Sequence, residues 1–220
     1  MNKGKKHDGN RKPRRSHASR TPNLGYYLIF TDTKETEEQF FTGMRDSLPK
    51  EIQKHLIIKV IPKIEAKDLV SQCIEELGKD PQYRIPWIVL DRDEVKNFDL
   101  LISEAHRKEI QTGWSNPCFE IWLHAYFGKP PFSETSVQCC EKFSKAFKQF
   151  VGCEYDKSDT SLYKHLKKYG NEDEAIQRCK QKWRAMNLHS PKVVPSSLYS
   201  TTTVYELVEE IIGKAVHCSV

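Results

Sequence analysis

At 220 residues, with a formal net charge of +5, 38% hydrophobic and 30% charged residues, the chain is long enough to bury a core without staples. No apolar run approaches a membrane span and the first residues lack the apolar stretch of a signal peptide, so a soluble, cytoplasmic protein is expected. The seven cysteines (Cys73, Cys118, Cys139, Cys140, Cys153, Cys179 and Cys218) are odd in number and contain no C-x-x-C pair, which argues against a disulfide framework or a zinc site.

The first 22 residues form a basic arm, with Lys3, Lys5, Lys6, Arg11, Lys12, Arg14, Arg15 and Arg20 against the single acid Asp8. With almost nothing apolar to bury, the arm is expected to be disordered in isolation. It is either a solubilising tail or a nucleic-acid contact in which Lys5, Lys6, Arg11, Lys12, Arg14, Arg15 and Arg20 track phosphates by counterion release.

The fold is expected to begin with a strand at Tyr26 to Phe30, closed by Thr31-Asp32-Thr33. Phe40, Phe41, Met44 and Leu48 then recur at helical spacing, so a helix runs from near Glu35 to before Pro49. Its first turn is acidic, which suits the helix dipole; Asp32 nevertheless stands at a strand's carboxyl end, with Glu35 and Glu37 close behind. A second strand at Leu56 to Ile61 and a helix at Ala66 to Leu77, with Leu69, Val70, Cys73 and Ile74 inward, complete a strand-helix-strand-helix order that predicts a parallel sheet.

The third strand carries the most informative stretch, Trp87-Ile88-Val89-Leu90-Asp91-Arg92-Asp93-Glu94. Side chains at i and i+2 of an extended chain point the same way, so Asp91 and Asp93 are expected to converge at the strand's carboxyl end. Hard oxygen ligands of this kind favour Mg²⁺ or Mn²⁺. The alternative is a solvated Asp-Arg-Asp turn, the commoner fate of an isolated D-x-D. In open parallel sheets, function gathers where Asp32 and Asp91 both fall, outside the carboxyl ends of strands.

Asp99 to Lys108 reads as a helix and Ile110 to Ser115 as an extended piece. Ser115 to Phe127 is expected to form a helix with a Ser or Asn cap, Pro117 at its first position and Phe119, Trp122, Leu123 and Phe127 as a buried stripe. Glu120 falls at the edge of that stripe, either as a dipole partner or as a group reaching back into the cleft. From Lys129 on, helices are expected at Val137 to Phe150, Ser161 to Tyr169 and Asn171 to Met186, then a Pro/Ser-rich loop, then a final helix capped by Thr202 or Thr203 and packed through Val204, Leu207, Val208, Ile211 and Ile212. The expected layout is an arm (1–22), an α/β core (23–128) and a helical part packed on it (129–220).

Four stretches taken together, F-T-D-T-K-E-T-E-E-Q-F-F, V-L-D-R-D-E, W-S-N-P-C-F-E-I-W-L and T-T-T-V-Y-E-L-V, resemble the RloB-like family over residues 20 to 212. The third is the most specific. That family is prokaryotic, linked to phage defence and abortive infection, often encoded beside an ATPase, and its domain is related to the Toprim fold. The resemblance implies a Toprim-like, mostly parallel α/β sheet flanked by helices. It also implies that Asp91 and Asp93 are paired metal-binding acids, that Asp32 replaces an essential glutamate as a third ligand, and that Glu37, Asn116 and Glu120 match polar family positions. Where relatives read C-E-G-x-K-T-E, this chain has Thr31-Asp32-Thr33-Lys34-Glu35-Thr36-Glu37, so the acid is a methylene shorter and a glycine becomes threonine.

Three functions follow as expectations. The first is a Mg²⁺- or Mn²⁺-dependent nuclease using Asp32, Glu37, Asp91 and Asp93, supported by Glu35, Glu94, Asn116 and Glu120. The second is a catalytically impaired nucleic-acid-binding module, and the third a regulatory subunit of an ATPase partner. The chain itself has no G-x-x-x-x-G-K-[ST] loop, so ATP dependence would come from that partner.

Overall fold

A computed structural model of the protein describes residues 24–32, 35–62, 64–79, 84–93, 95–189 and 194–216. Its centre is a five-stranded sheet in the order β2-β1-β3-β4-β5, in which β1 (Gly25–Thr31), β2 (Leu56–Ile61), β3 (Ile85–Asp91) and β4 (Gln111–Asn116) are parallel. The fifth strand, β5 (Thr201–Thr202), runs antiparallel beside β4.

The alternation along the strands decides which helices cover which face. Tyr27 and Ile29 of β1 and Trp87 and Val89 of β3 share a core with α1 (Thr36–Ser47), α5 (Glu120–Ala125), α6 (Ser136–Val151), α7 (Leu162–Tyr169) and α9 (Val204–Val216). Leu28, Phe30, Ile88 and Leu90 face the other way, onto α3 (Leu69–Gly78) and α4 (Phe98–Arg107). Both faces of the central strands are therefore dry, which is why their sequences read as continuous apolar runs. Phe40 and Phe41 of α1 are fully buried and meet Phe119 edge to face. At about 1.5–3 kcal/mol for each large apolar side chain, this contact fixes α1 over the carboxyl ends of β1 and β3.

The strands and most helices lie where the sequence places them, with four differences. A short helix, α2 (Lys50–Gln53), follows Pro49. Ile74, expected to point inward, is 44% exposed. The helix expected from Ser115 begins only at Glu120, because Ser115 and Asn116 pair with Thr202 and Thr201 in the sheet. Thr201 and Thr202 are in turn strand residues, so α9 starts at Val204.

The helical second half does not form a separate body. Val204, Leu207, Val208 and Ile211 of α9 belong to the same core as the β1 and β3 residues, and Gly113 of β4 admits α9 so closely that an added Cβ would lie 3.4 Å from Val204 Cα. Trp183 of α8 (Glu172–His189) packs edge to face on Trp114, so Trp87, Trp114 and Trp122 are core residues, as their apolar surroundings in the sequence suggest. No helix among the described residues is long and apolar enough to cross a membrane.

Candidate functional site

Strands β1 and β3 are parallel neighbours with Thr31 opposite Val89, so both chains leave the sheet at the same edge. Asp32 follows β1 directly and Asp91 is the last residue of β3. The main-chain N–H of Asp91 donates to Asp32 Oδ2 at 3.4 Å, which holds the two carboxylates side by side. The apolar face of α1 turns Glu37 toward the same edge; it is only 1% exposed. From the opposite direction comes Glu120, the first residue of α5 and equally buried.

Asp91 sits at the centre of this group. Burial, followed by the negative charges of Glu37, Asp32 and Glu120, pushes its carboxyl well above the usual carboxylate range, and the N–H of Phe119, donating to Oδ2 at 3.0 Å, opposes that only in part. Its other oxygen, Oδ1, is buried with no hydrogen-bond partner among the described residues. An acid sequestered among acids and left with an unused lone-pair oxygen has two ways to become comfortable: hold a proton or bind a cation. The set of donors, all carboxylate oxygen, suits a hard divalent ion such as Mg²⁺ or Mn²⁺.

Glu120 has partners that sequence reasoning did not find. Tyr155 donates its hydroxyl to Glu120 Oε1 at 3.1 Å and lies 3.1 Å from Thr36 Oγ1, while Lys157 Nζ is 3.4 Å from the same glutamate oxygen. Burial and then the Glu120 charge push the Tyr155 hydroxyl up, keeping it a donor. Burial is the largest single influence on the Lys157 ammonium and works against it, but the Glu120 charge and hydrogen bond together with the nearby Cys140 and Cys118 raise the lysine on balance. These two residues stand 35 and 37 positions beyond Glu120, in an unpatterned loop after α6, and nothing local in the sequence marks them.

The remaining expected residues divide. Asp93 stands outside the buried group: the extended chain stops at Asp91, Asp93 donates its N–H to Pro117 O at 3.2 Å in a turn, and its exposed carboxylate accepts from Ser136 Oγ. The i, i+2 rule that predicted convergence applies only within a strand. Glu35 is exposed at the start of α1. Asn116 is buried, and its Nδ2 donates to Pro195 O at 3.2 Å and Ser196 O at 3.0 Å, so it ties the 194–198 segment to β4. Glu94 and the arm residues Lys5, Lys6, Arg11, Lys12, Arg14, Arg15 and Arg20 lie outside the described residues.

A groove of about 880 Å³ between α1, α7 and α9, lined by Gly43, Ser47, Tyr163, Lys167 and Ile212 among others, contains none of the four carboxylates. Its size does not outweigh the chemistry, because its buried acid, Glu172, is already engaged by Tyr126, Tyr163 and Lys167, whereas Asp91 is crowded by other acids.

What fold and site define together is a mostly parallel α/β protein with four acids gathered at the carboxyl edge of its two central strands. The chain belongs to the RloB-like protein family, whose model matches residues 27–211, from β1 through most of α9. No curated protein and no solved structure matches it.

Proposed function

We propose that this protein is a divalent-cation-dependent nuclease that hydrolyses phosphodiester bonds of nucleic acid, and that it acts in prokaryotic antiviral defence alongside an ATPase partner. The observation that carries the reading is Asp91: a buried carboxylate crowded by Asp32, Glu37 and Glu120, with one oxygen lacking a partner among the described residues. Three acids whose charges converge on a fourth are an arrangement that a hard cation relieves. The defence role and the partner rest on the RloB-like family resemblance, as does a relation of the sheet to the Toprim fold.

In this reading Asp91, Asp32 and Glu37 would hold Mg²⁺ or Mn²⁺, with Glu120 as a supporting acid. When bound, the ion polarises the scissile phosphate and offsets the charge developing on it. Asp32, which is half-buried, would take the proton of the attacking water. Lys157, half-exposed beside Glu120, contacts a substrate phosphate, and Tyr155 keeps Glu120 in its orientation. Asp93 serves as a rim group.

The test is incubation of the purified chain with plasmid, single-stranded DNA and total RNA, each with Mg²⁺ or Mn²⁺. Cutting should require the ion and disappear in Asp91→Asn. Cutting at the wild-type rate by that variant would sink the assignment. A second reading, a regulatory subunit that binds nucleic acid without cleaving it, is favoured by one observation. Among the described residues, the group with ligand atoms mutually within 4.8 Å is Cys118, Glu120 and Cys140, and the acids at the sheet edge do not form such a group. It predicts salt-dependent binding that survives Asp91→Asn.

A further inference from the structure

Sequence spacing argues against a zinc site, yet the fold assembles thiols that the sequence separates. Cys118 lies between β4 and α5, and Cys139 and Cys140 lie on α6; with Ile121 they form a small cluster of their own beside the main core. Cys118 is 4% exposed and Cys140 is half-buried. Cys118 Sγ, Cys140 Sγ and a Glu120 carboxylate oxygen all lie within 4.8 Å of one another. Two sulfurs and one carboxylate oxygen at such separations are the donor set and spacing of a tetrahedral zinc site with one position left open.

Ordinary packing accounts for one buried cysteine in an apolar niche, but it does not account for a buried carboxylate directed into a pair of thiols. From this geometry we propose a second cation site, formed by Cys118, Cys140 and Glu120, that takes Zn²⁺. Binding replaces the two thiol protons with two metal–sulfur bonds and releases those protons to solvent, with no change of oxidation state. The ion joins α6 to the start of α5 and engages the carboxylate that also faces Asp91. Soft sulfur and hard oxygen ligands thus share one wall, so the two sites select different ions.

Cobalt(II) reports the two kinds of site separately, because only thiolate ligation gives an intense near-ultraviolet charge-transfer band. The full chain, stripped of metal, kept reduced and titrated with Co²⁺ without oxygen, should develop that band, and Zn²⁺ should abolish it. Cys118→Ser and Cys140→Ser should each weaken Co²⁺ binding by about tenfold or more, Glu120→Gln should weaken it less, and the exposed Cys153→Ser should leave it unchanged. Circular dichroism of each variant checks folding. Should Cys118→Ser fail to fold, Cys140→Ser carries the test, because its position is only half-buried. Absence of the band, or its survival in Cys140→Ser, overturns the proposal. Asp91→Asn should keep the band while losing nuclease activity, so failure of the oxygen site and failure of the sulfur site are distinguishable.

Discussion

The N–H of Phe119 donates to Asp91 Oδ2 at 3.0 Å, joining the start of the α5 segment to the end of β3 across 28 residues of chain. This bond fixes one oxygen of Asp91 and leaves the other for chemistry. Asp91→Asn keeps size and shape but removes the charge that Glu37, Asp32 and Glu120 oppose. Nuclease activity should fall by about 10²-fold or more, while stability in chelator rises by about 1–2 kcal/mol, the common exchange between activity and stability at a strained site. The same change at exposed Asp93 should cost less than tenfold in activity. Rates and urea midpoints of the two variants check this, and equal loss at both positions would contradict the placement of Asp93 at the rim.

Tyr155→Phe removes a hydroxyl shared between Thr36 and Glu120. One hydrogen bond to a buried carboxylate is worth about 1.5–3 kcal/mol, so unfolding by urea should shift by that order. Activity should fall with the Mn²⁺ requirement intact, because Glu120 keeps Lys157 as a partner but loses its fixed orientation.

Much of this architecture was legible in the chain. Leu56–Ile61 is a strand with the bounds read from its apolar run, and Asp32 and Asp91 fall at strand ends because short apolar segments stop where charge begins. Less legible was whatever depends on contacts distant in sequence. Ser115 and Asn116 look like a helix cap until Thr201 and Thr202 arrive to pair with them. Tyr155, Lys157 and Cys140 reach Glu120 only because α6 returns over α5, and no local periodicity encodes a return path. Asp93 lies two residues past the end of β3, where the alternation of a strand no longer sets which way a side chain points.

Glu172 is a buried acid with a structural task. It accepts from Tyr126 at 2.8 Å and Tyr163 at 2.9 Å and pairs with Lys167 at 2.6 Å, tying α7 and α8 to the end of α5. Glu172→Ala strands two buried hydroxyls and should cost about 2–4 kcal/mol. Thermal unfolding measures it, and metal-dependent activity per folded molecule should not change.

Lys182 is half-buried, and burial pulls its ammonium down to about 8; its Nζ donates to Ser200 O. The folded chain thus releases a proton more readily here than the unfolded one, whose lysine titrates near ~10.4. The charged form destabilises fully below pH 8, and relief comes as pH rises from about 8 to ~10.4. Relative to Lys182→Met, wild type should gain about 1–2 kcal/mol over that window, after allowing for solvent screening. Paired chemical denaturation curves at pH 7.5 and pH 10 give the comparison.

The two-residue strand β5 decides how this protein can be dissected. Thr202 shares a hydroxyl contact of 3.1 Å with Ser115, and Thr203 accepts from the N–H of Trp114 at 3.0 Å, so residues near the far end of the sequence brace the strand that leads into the Phe119 turn. A fragment cut after residue 128 would keep all four acids and lose both the brace and the α9 side chains that seal the sheet. Such a piece should aggregate through its uncovered β4 edge, and the acids it retains would have no scaffold to gather them.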